Sequence, residues 1–208
     1  MVITYHGGQY FKLVRGDTVI AFNPIAKDNP AQWPTVKFGA NVGFSSLQHP
    51  NFNGFTQLSS ANRQLFTIES PGEYEVGDVT VHGFGVKTTY EGVARYNTIY
   101  QVQFDGINIV FLGVLDDPDI GSDILGALAD VDIIFLPIGG GDVLEAPQAS
   151  KLAVKLEARC VIPMHYDKAA LQTFLQEEGV EKLKPVDKLT IKKKDLAEMT
   201  GTVVVLQS

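Results

Sequence analysis

The sequence predicts a mixed α/β (α+β) protein in which two β-sheets are sandwiched between helices. The first half consists of short runs rich in β-branched and aromatic residues, punctuated by Gly, Pro and Asn. The second half alternates helical periodicity with buried strand-like runs, the arrangement of sheets flanked by helices. With 208 residues, 45% of them apolar and 20% charged, the chain is long enough to enclose a packed core.

The opening meander is expected from Ile3 to His6, Tyr10 to Val14 and Thr18 to Phe22, turning at Gly7-Gly8 and Arg15-Gly16-Asp17. A loop rich in Pro and Asn follows, from Asn23 to Pro34. Strands are expected at Asn41 to Ser45, Gln64 to Ile68, Tyr74 to Val76 and Val79 to Phe84. Asn97 to Phe104 should pair with Ile107 to Leu112, because Asp105-Gly106 favours the left-handed backbone of a two-residue hairpin turn. Next come a helix at Asp119 to Leu128 and a buried strand at Asp132 to Pro137. A helix at Ala146 to Glu157 follows, with Pro147 suited to its first turn. Cys160 to Pro163, a helix at Lys168 to Glu178 and a strand at Thr202 to Leu206 complete the pattern. No linker divides the chain, so one domain over residues 1–208 is expected.

Composition narrows the function. Seventeen basic against twenty-four acidic side chains give a net charge of −7, which repels polyanions, so no nucleic-acid partner is expected. The basic run Lys182 to Lys194 lacks aromatic residues for stacking on bases and reads as a solvated face. No apolar run approaches the roughly 20 residues of a spanning helix, and no secretory pattern opens the chain. Cys160 stands alone and forms neither a disulfide nor a thiolate cluster, so a cytoplasmic setting is expected.

Four histidines are present: His6, His49, His82 and His165. His6 and His82 lie in strand alternations without ligand spacing and read as structural. His49 follows a strand in Ser45-Ser46-Leu47-Gln48-His49-Pro50-Asn51-Phe52-Asn53, and His165 follows another in Ile162-Pro163-Met164-His165-Tyr166. Loops at strand ends present side chains from a rigid scaffold, which makes these two the candidates.

Several segments resemble the metallo-β-lactamase superfamily, in particular its small branch that includes ascorbate-6-phosphate lactonase-like proteins. They are Ile3-Thr4-Tyr5-His6-Gly7-Gly8, Ile20-Ala21-Phe22-Asn23-Pro24 (similar to a strand ending in Asp-Pro), and Pro71-Gly72-Glu73-Tyr74-Glu75-Val76. Asn97-Thr98-Ile99-Tyr100, Phe111-Leu112-Gly113, Leu136-Pro137-Ile138-Gly139-Gly140-Gly141 and Ile162-Pro163-Met164-His165-Tyr166 follow in family order. The resemblance implies a four-layer αββα sandwich. It also implies a His-x-His-x-Asp-His motif with later His, Asp and His ligands, holding one or two ions that activate water.

Laid on that motif, Leu47-Gln48-His49-Pro50-Asn51-Phe52 keeps one histidine and has Asn51 where the motif has Asp. The second ligand region reads Lys87-Thr88-Thr89-Tyr90-Glu91, without histidine, and Val114 stands at the bridging Asp. His49 and His165 are the residual metal ligands by this comparison. Asp116 can join them only if the loop shifts, giving a set of two imidazoles and one carboxylate. Otherwise Asp116, Asp117 and Asp119 form a solvated turn before a helix. These substitutions lead to the expectation of a non-hydrolytic binding or assembly protein with no catalytic residues and no cofactor. The alternative is a hydrolase with a reduced mononuclear site holding zinc, manganese or iron at His49 and His165. Its implied substrate is a phosphorylated sugar, lactone or similar ester. A small anionic ligand held by His49, His165 and the amides of Gly139 to Gly141 is a third use of the cleft. Phe52 and Phe55 are candidate exposed positions for self-association. Cys160 reads as an inert core thiol, and Glu73 and Glu75 as scaffold carboxylates on one strand face.

Overall fold

Residues 1–180 and 183–208 are described by a computed structural model. Lys182, the first residue of the basic run, lies outside the described residues. The N-terminal alternation forms β1 (Val2–Tyr5), β2 (Phe11–Arg15) and β3 (Thr18–Phe22), an antiparallel meander. Strands β4 (Val42–Phe44) and β5 (Phe66–Ile68) add to β3 in parallel.

The second sheet begins with β6 (Gly72–Val76), β7 (Val79–Tyr90), β8 (Val93–Phe104) and β9 (Ile107–Phe111), all antiparallel. The Asp105-Gly106 turn forms with both residues left-handed, at φ 56° and 71°. The β7–β8 hairpin is longer than the sequence predicts: its strands run beyond Phe84 and begin before Asn97, meeting at Glu91-Gly92.

After α1 (Ser122–Ala127), β10 (Ile133–Pro137) lies parallel to β9. After α2 (Ala146–Lys155), β11 (Cys160–Met164) lies parallel to β10. Pro147 sits in the first turn of α2, and Gln148 accepts the Glu145 amide at 3.0 Å. Helix α3 (Lys168–Glu177) is capped by Asp167, which accepts the Ala170 amide at 2.8 Å. Short β12 (Leu189–Thr190) pairs with β1, α4 (Lys193–Leu196) follows, and β13 (Thr202–Val203) pairs with β11. The sheet orders are β12-β1-β2-β3-β4-β5 and β13-β11-β10-β9-β8-β7-β6.

Alternation decides which side chains meet between the sheets. Phe11, Leu13, Phe22 and Phe44 of the first sheet pack against Tyr100, Val102, Phe111, Phe135 and Ile162 of the second. Phe22 stacks on Phe44 and Phe111 at 4.7 and 4.6 Å between ring centroids. The other face of the second sheet is covered by α2 and α3 through Ala149, Leu152, Ala153 and Phe174. Over the first sheet the outer layer is a loop and a 3-10 turn (Phe55–Leu58), where Ile25, Ala40 and Leu58 cover Tyr10, Val19 and Ala21. Lys193 of α4 pairs with buried Asp132, which also accepts the Asn108 amide at 2.8 Å. Lys193 reaches this carboxylate while its own side chain stays 57% exposed, and Lys192 and Lys194 are exposed as well, as expected of a solvated face.

Cys160 is fully buried, and desolvation pushes its thiol up to about 12, as an inert core residue requires. Among the described residues, no helix is long and apolar enough to cross a membrane.

Candidate functional site

The parallel strands β3, β4, β9, β10 and β11 deliver Asn23, the Ser45 to His49 turn, Gly113, Gly139 and His165 to one rim. Contacts across that rim join the two sheets. Gln9, entering from the β1–β2 turn, is the central link: its Nε2 donates to the Gly113 carbonyl at 3.0 Å and lies 2.9 Å from His165 Nδ1. Asn23 Nδ2 donates to Gln9 Oε1 at 2.8 Å and to Ser46 Oγ at 2.9 Å, while Asn23 Oδ1 accepts the Ser46 amide at 2.7 Å. Asn97 supports the next loop, donating to the Leu112 carbonyl and accepting the Val114 amide, both at 2.8 Å. Gln9, Asn23 and Asn97 are each fully buried. Their amide groups are satisfied within the fold, as groups shut away from water must be.

His165 adopts a left-handed backbone, φ 53°, with its amide donating to the Gly8 carbonyl at 2.8 Å. Gly139 is required beside it: a Cβ there would lie 2.1 Å from the His165 carbonyl oxygen. Burial lowers the His165 imidazole from its ordinary value to about 4, keeping the ring neutral at physiological pH. The ring meets Trp33 edge-on at 5.3 Å.

His49 is nearly buried. Its Nδ1 accepts the Asn51 amide at 3.3 Å, and its Nε2 stands 3.4 Å from Glu91 Oε2. Burial lowers its pKa, with Glu91 acting in the opposite direction. Phe52 and Tyr90 adjoin both imidazoles: Phe52 lies 6.1 Å from each, Tyr90 5.1 Å from His49 and 6.5 Å from His165. Leu47, Phe52, Tyr90, Val114 and Val143 form one apolar cluster with Trp33 against it. Asn51 Nδ2 donates to the Tyr90 hydroxyl at 2.8 Å, so the substituted Asn serves packing.

Asp116 does not join the two histidines. Its Oδ2 accepts the Thr89 amide at 2.8 Å on the outer side of the β7–β8 hairpin, beside Lys87 and Tyr96. Asp117 and Asp119 make the turn that leads into α1, through the Asp119 and Gly121 amides. Phe52 is fully buried in the cleft, which corrects its reading as an exposed interface residue. In the glycine turn, the Gly140 amide donates to Leu144, and the Glu145 carboxylate faces Gly140 closely enough to clash with any Cβ there. An anion would meet that negative charge. His6 packs on Tyr10 and Phe38, and exposed His82 lies 4.0 Å from Glu73.

The residues present do not fit a two-ion centre, because Leu47, Phe52 and Val114 offer no donor atoms where the motif needs them. Among the described residues, no three of His, Cys, Asp or Glu gather to hold an ion. The 3.4 Å between His49 Nε2 and Glu91 Oε2 does match two corners of a tetrahedron around a cation with bonds of about 2.1 Å. Among the described residues this pair is the shorter of the two imidazole–carboxylate pairs, the other being His82 and Glu73 at 4.0 Å. Glu91 was not anticipated from the sequence: it occupies the left-handed first position of the hairpin turn, φ 51°, where Asn or Asp is usual. Gln9 and Asn23 were also missed as site residues, although Asn23-Pro24 had marked the strand end.

Two mixed sheets packed face to face, the second covered by helices and the first by a loop and a 3-10 turn where the αββα expectation has a helical layer, with a cleft at the strand ends, have the architecture of a metallo-β-lactamase-type sandwich. Residues 2–165 match the model of the beta-lactamase superfamily domain, and the chain belongs to that family. A Listeria innocua protein named a metal-dependent hydrolase is 26% identical over 198 residues, covering 80% of this chain and 86% of its own. A Methylacidiphilum infernorum protein of the same name is 24% identical over 208 residues, covering 88% and 92%. Among solved structures, a metallo-β-lactamase superfamily protein from Thermotoga maritima superposes with TM-score 0.76 at 24% identity, covering 99% of this chain and 97% of its own. The short form of human tRNase Z gives TM-score 0.61 at 11% identity, covering 92% and 99%. The expectation of no cofactor does not stand against these curated relatives, whose names make them metal-dependent. The same names favour the hydrolase alternative over a non-hydrolytic binding role.

Burial of neutral imidazoles has a consequence for stability. His6, His49 and His165 all have pKa values lowered by desolvation. Unfolding in acid therefore takes up protons, and stability is full above about pH 6.5 and declines as the pH falls toward 4. His165 alone should contribute roughly 2 kcal/mol to this loss after allowance for its partial exposure. Urea unfolding at pH 7 and pH 4.5, compared between wild type and His165→Asn, checks this: the variant should lose less on acidification.

Proposed function

We propose that the protein is a metal-dependent hydrolase working in the cleft bordered by His49 and His165, with a reduced site for one ion. The reading is carried by the family match over residues 2–165 together with relatives named metal-dependent hydrolases. The substrate class is a phosphorylated sugar, a lactone or a similar ester. His49 and Glu91 would hold the ion: with Nδ1 accepting the Asn51 amide at 3.3 Å the neutral His49 ring carries its proton on Nε2, facing Glu91, so an ion there would take the place of that shared proton and the Asn51 contact would be given up. An ion there would polarise an ester carbonyl and lower the pKa of a bound water. The chain itself supplies a dry apolar wall from Leu47, Phe52 and Val114 and a neutral imidazole at His165, which exclude water and orient an uncharged group.

The test is elemental analysis of protein purified without chelator, alongside assays on phosphorylated sugars and lactones. Zinc, manganese or iron near one per chain is expected, with turnover lost on EDTA treatment and restored by the metal. His49→Ala removes a direct ligand and should lower metal affinity by more than the roughly 10–100-fold that loss of an outer-shell partner costs. Protein that holds no metal and cleaves none of these esters would overturn the proposal.

A further inference from the structure

The buried chain from Ser46 to His165 fixes the position of one proton. The Ser46 backbone N–H is only a donor, so the Asn23 atom that accepts it at 2.7 Å is Oδ1, and Nδ2 is the atom that faces Gln9. Nδ2 is only a donor, so the Gln9 atom 2.8 Å away is Oε1, which leaves Nε2 on the other side. There Nε2 meets the Gly113 carbonyl at 3.0 Å, which only accepts. Both ends of the network thus assign the Gln9 amide, and its second hydrogen points at His165 Nδ1, 2.9 Å away. Nδ1 must accept, so a neutral ring carries its proton on Nε2.

His165 Nε2 has no hydrogen-bond partner among the described residues and is not among the fully enclosed, unpartnered atoms, so it opens to solvent-accessible space. His165 lines a cavity of about 300 Å³ with Gly8, Trp33, Gly139, Gly140, Tyr166 and Asp167. A histidine that ligates through Nε2 normally donates Nδ1–H to a carbonyl or carboxylate. In this chain Nδ1 faces a donor instead.

We infer that Gln9 is a positioning residue that locks His165 with its proton on Nε2, so His165 presents an N–H to an uncharged oxygen, such as an ester carbonyl, of a ligand in this cavity rather than a lone pair to a metal. The carboxylates of Asp167 and Glu145 beside the cavity disfavour an anion. Trp33 supplies an apolar wall. The inference rests on the network and not on the hydrolase reading. An ion held at His49 and Glu91 is compatible with it.

Long-range 1H–15N spectra of the imidazoles test the assignment directly. Wild type should show His165 with Nε2 protonated and Nδ1 as the acceptor, unchanged when zinc alone is added. Gln9→Glu replaces the donor by an acceptor and should invert the tautomer, freeing Nε2 and raising zinc affinity at least tenfold. Gln9→Leu should give a mixture, and serves if the glutamate variant does not fold. Methyl acetate, an uncharged ester, should shift the Nε2–H proton, whereas inorganic phosphate should not. A wild-type Nδ1–H tautomer, or loss of the Nε2–H signal on adding zinc, would overturn the inference whether or not esters are cleaved. A shift produced by phosphate, or by neither probe, would overturn the ligand class. Absence of metal and turnover with the tautomer intact would remove only the hydrolase reading.

Discussion

Phe52→Ala is expected to lower the free energy of unfolding by about 3–5 kcal/mol, the cost of removing a fully enclosed ring and leaving a cavity. Phe52 has no exposed surface and packs with Leu47, Tyr90, Val114 and Val143, with Trp33 at 6.1 Å between centroids. The ring sits between two sets of strand-end loops, so little can collapse into the space. The check is a urea titration: the midpoint should fall while the slope stays constant. A loss below about 1 kcal/mol would mean the ring is not enclosed as described. Leu47→Ala should behave alike, which would establish that the apolar filling of the cleft contributes to stability.

Asn23→Ala should cost about 3 kcal/mol, through two separable causes. The buried Ser46 amide loses its acceptor at 2.7 Å and Gln9 Oε1 loses a donor, each at about 1–3 kcal/mol when left unmet. Asn23 also holds φ 45°, a left-handed backbone that Asn tolerates better than Ala by roughly 1 kcal/mol. Asn23→Gly separates the two: it relieves the backbone and leaves the hydrogen bonds broken. If glycine restores wild-type stability, the network contributes nothing and the assignment of the Gln9 amide loses its anchor.

The two turns of the antiparallel strands show what local sequence reveals. Asp105-Gly106 and Glu91-Gly92 have the same left-handed geometry. The first was legible because Asp readily adopts positive φ, whereas Glu does not advertise it. From the sequence, Tyr90 and Glu91 belong to a ligand region without histidine, and nothing marks them as the tip of a hairpin. Strand positions elsewhere were legible because alternation and β-branched runs are local properties. The first sheet's outer cover was not, since its loop has no periodicity.

At the rim, Leu47, Phe52 and Val114 could be judged from their side-chain chemistry alone. The partners of His165 could not. Gln9 lies 156 residues from His165 in the chain, and the Gln9 to Gly113 bond spans 104. Nothing local in a glutamine after Gly7-Gly8 predicts that it will set a distant imidazole's tautomer. Similarly, Asp116 was judged by its nearness in sequence to the missing carboxylate, while the hairpin it caps turns it outward.

Trp33 is the only indole in the chain, and it touches both Phe52 and His165. Its fluorescence is therefore a built-in optical gauge of this one corner of the molecule. Quenching by a protonated His165 or a spectral shift on filling of the neighbouring hollow can be followed without any attached dye.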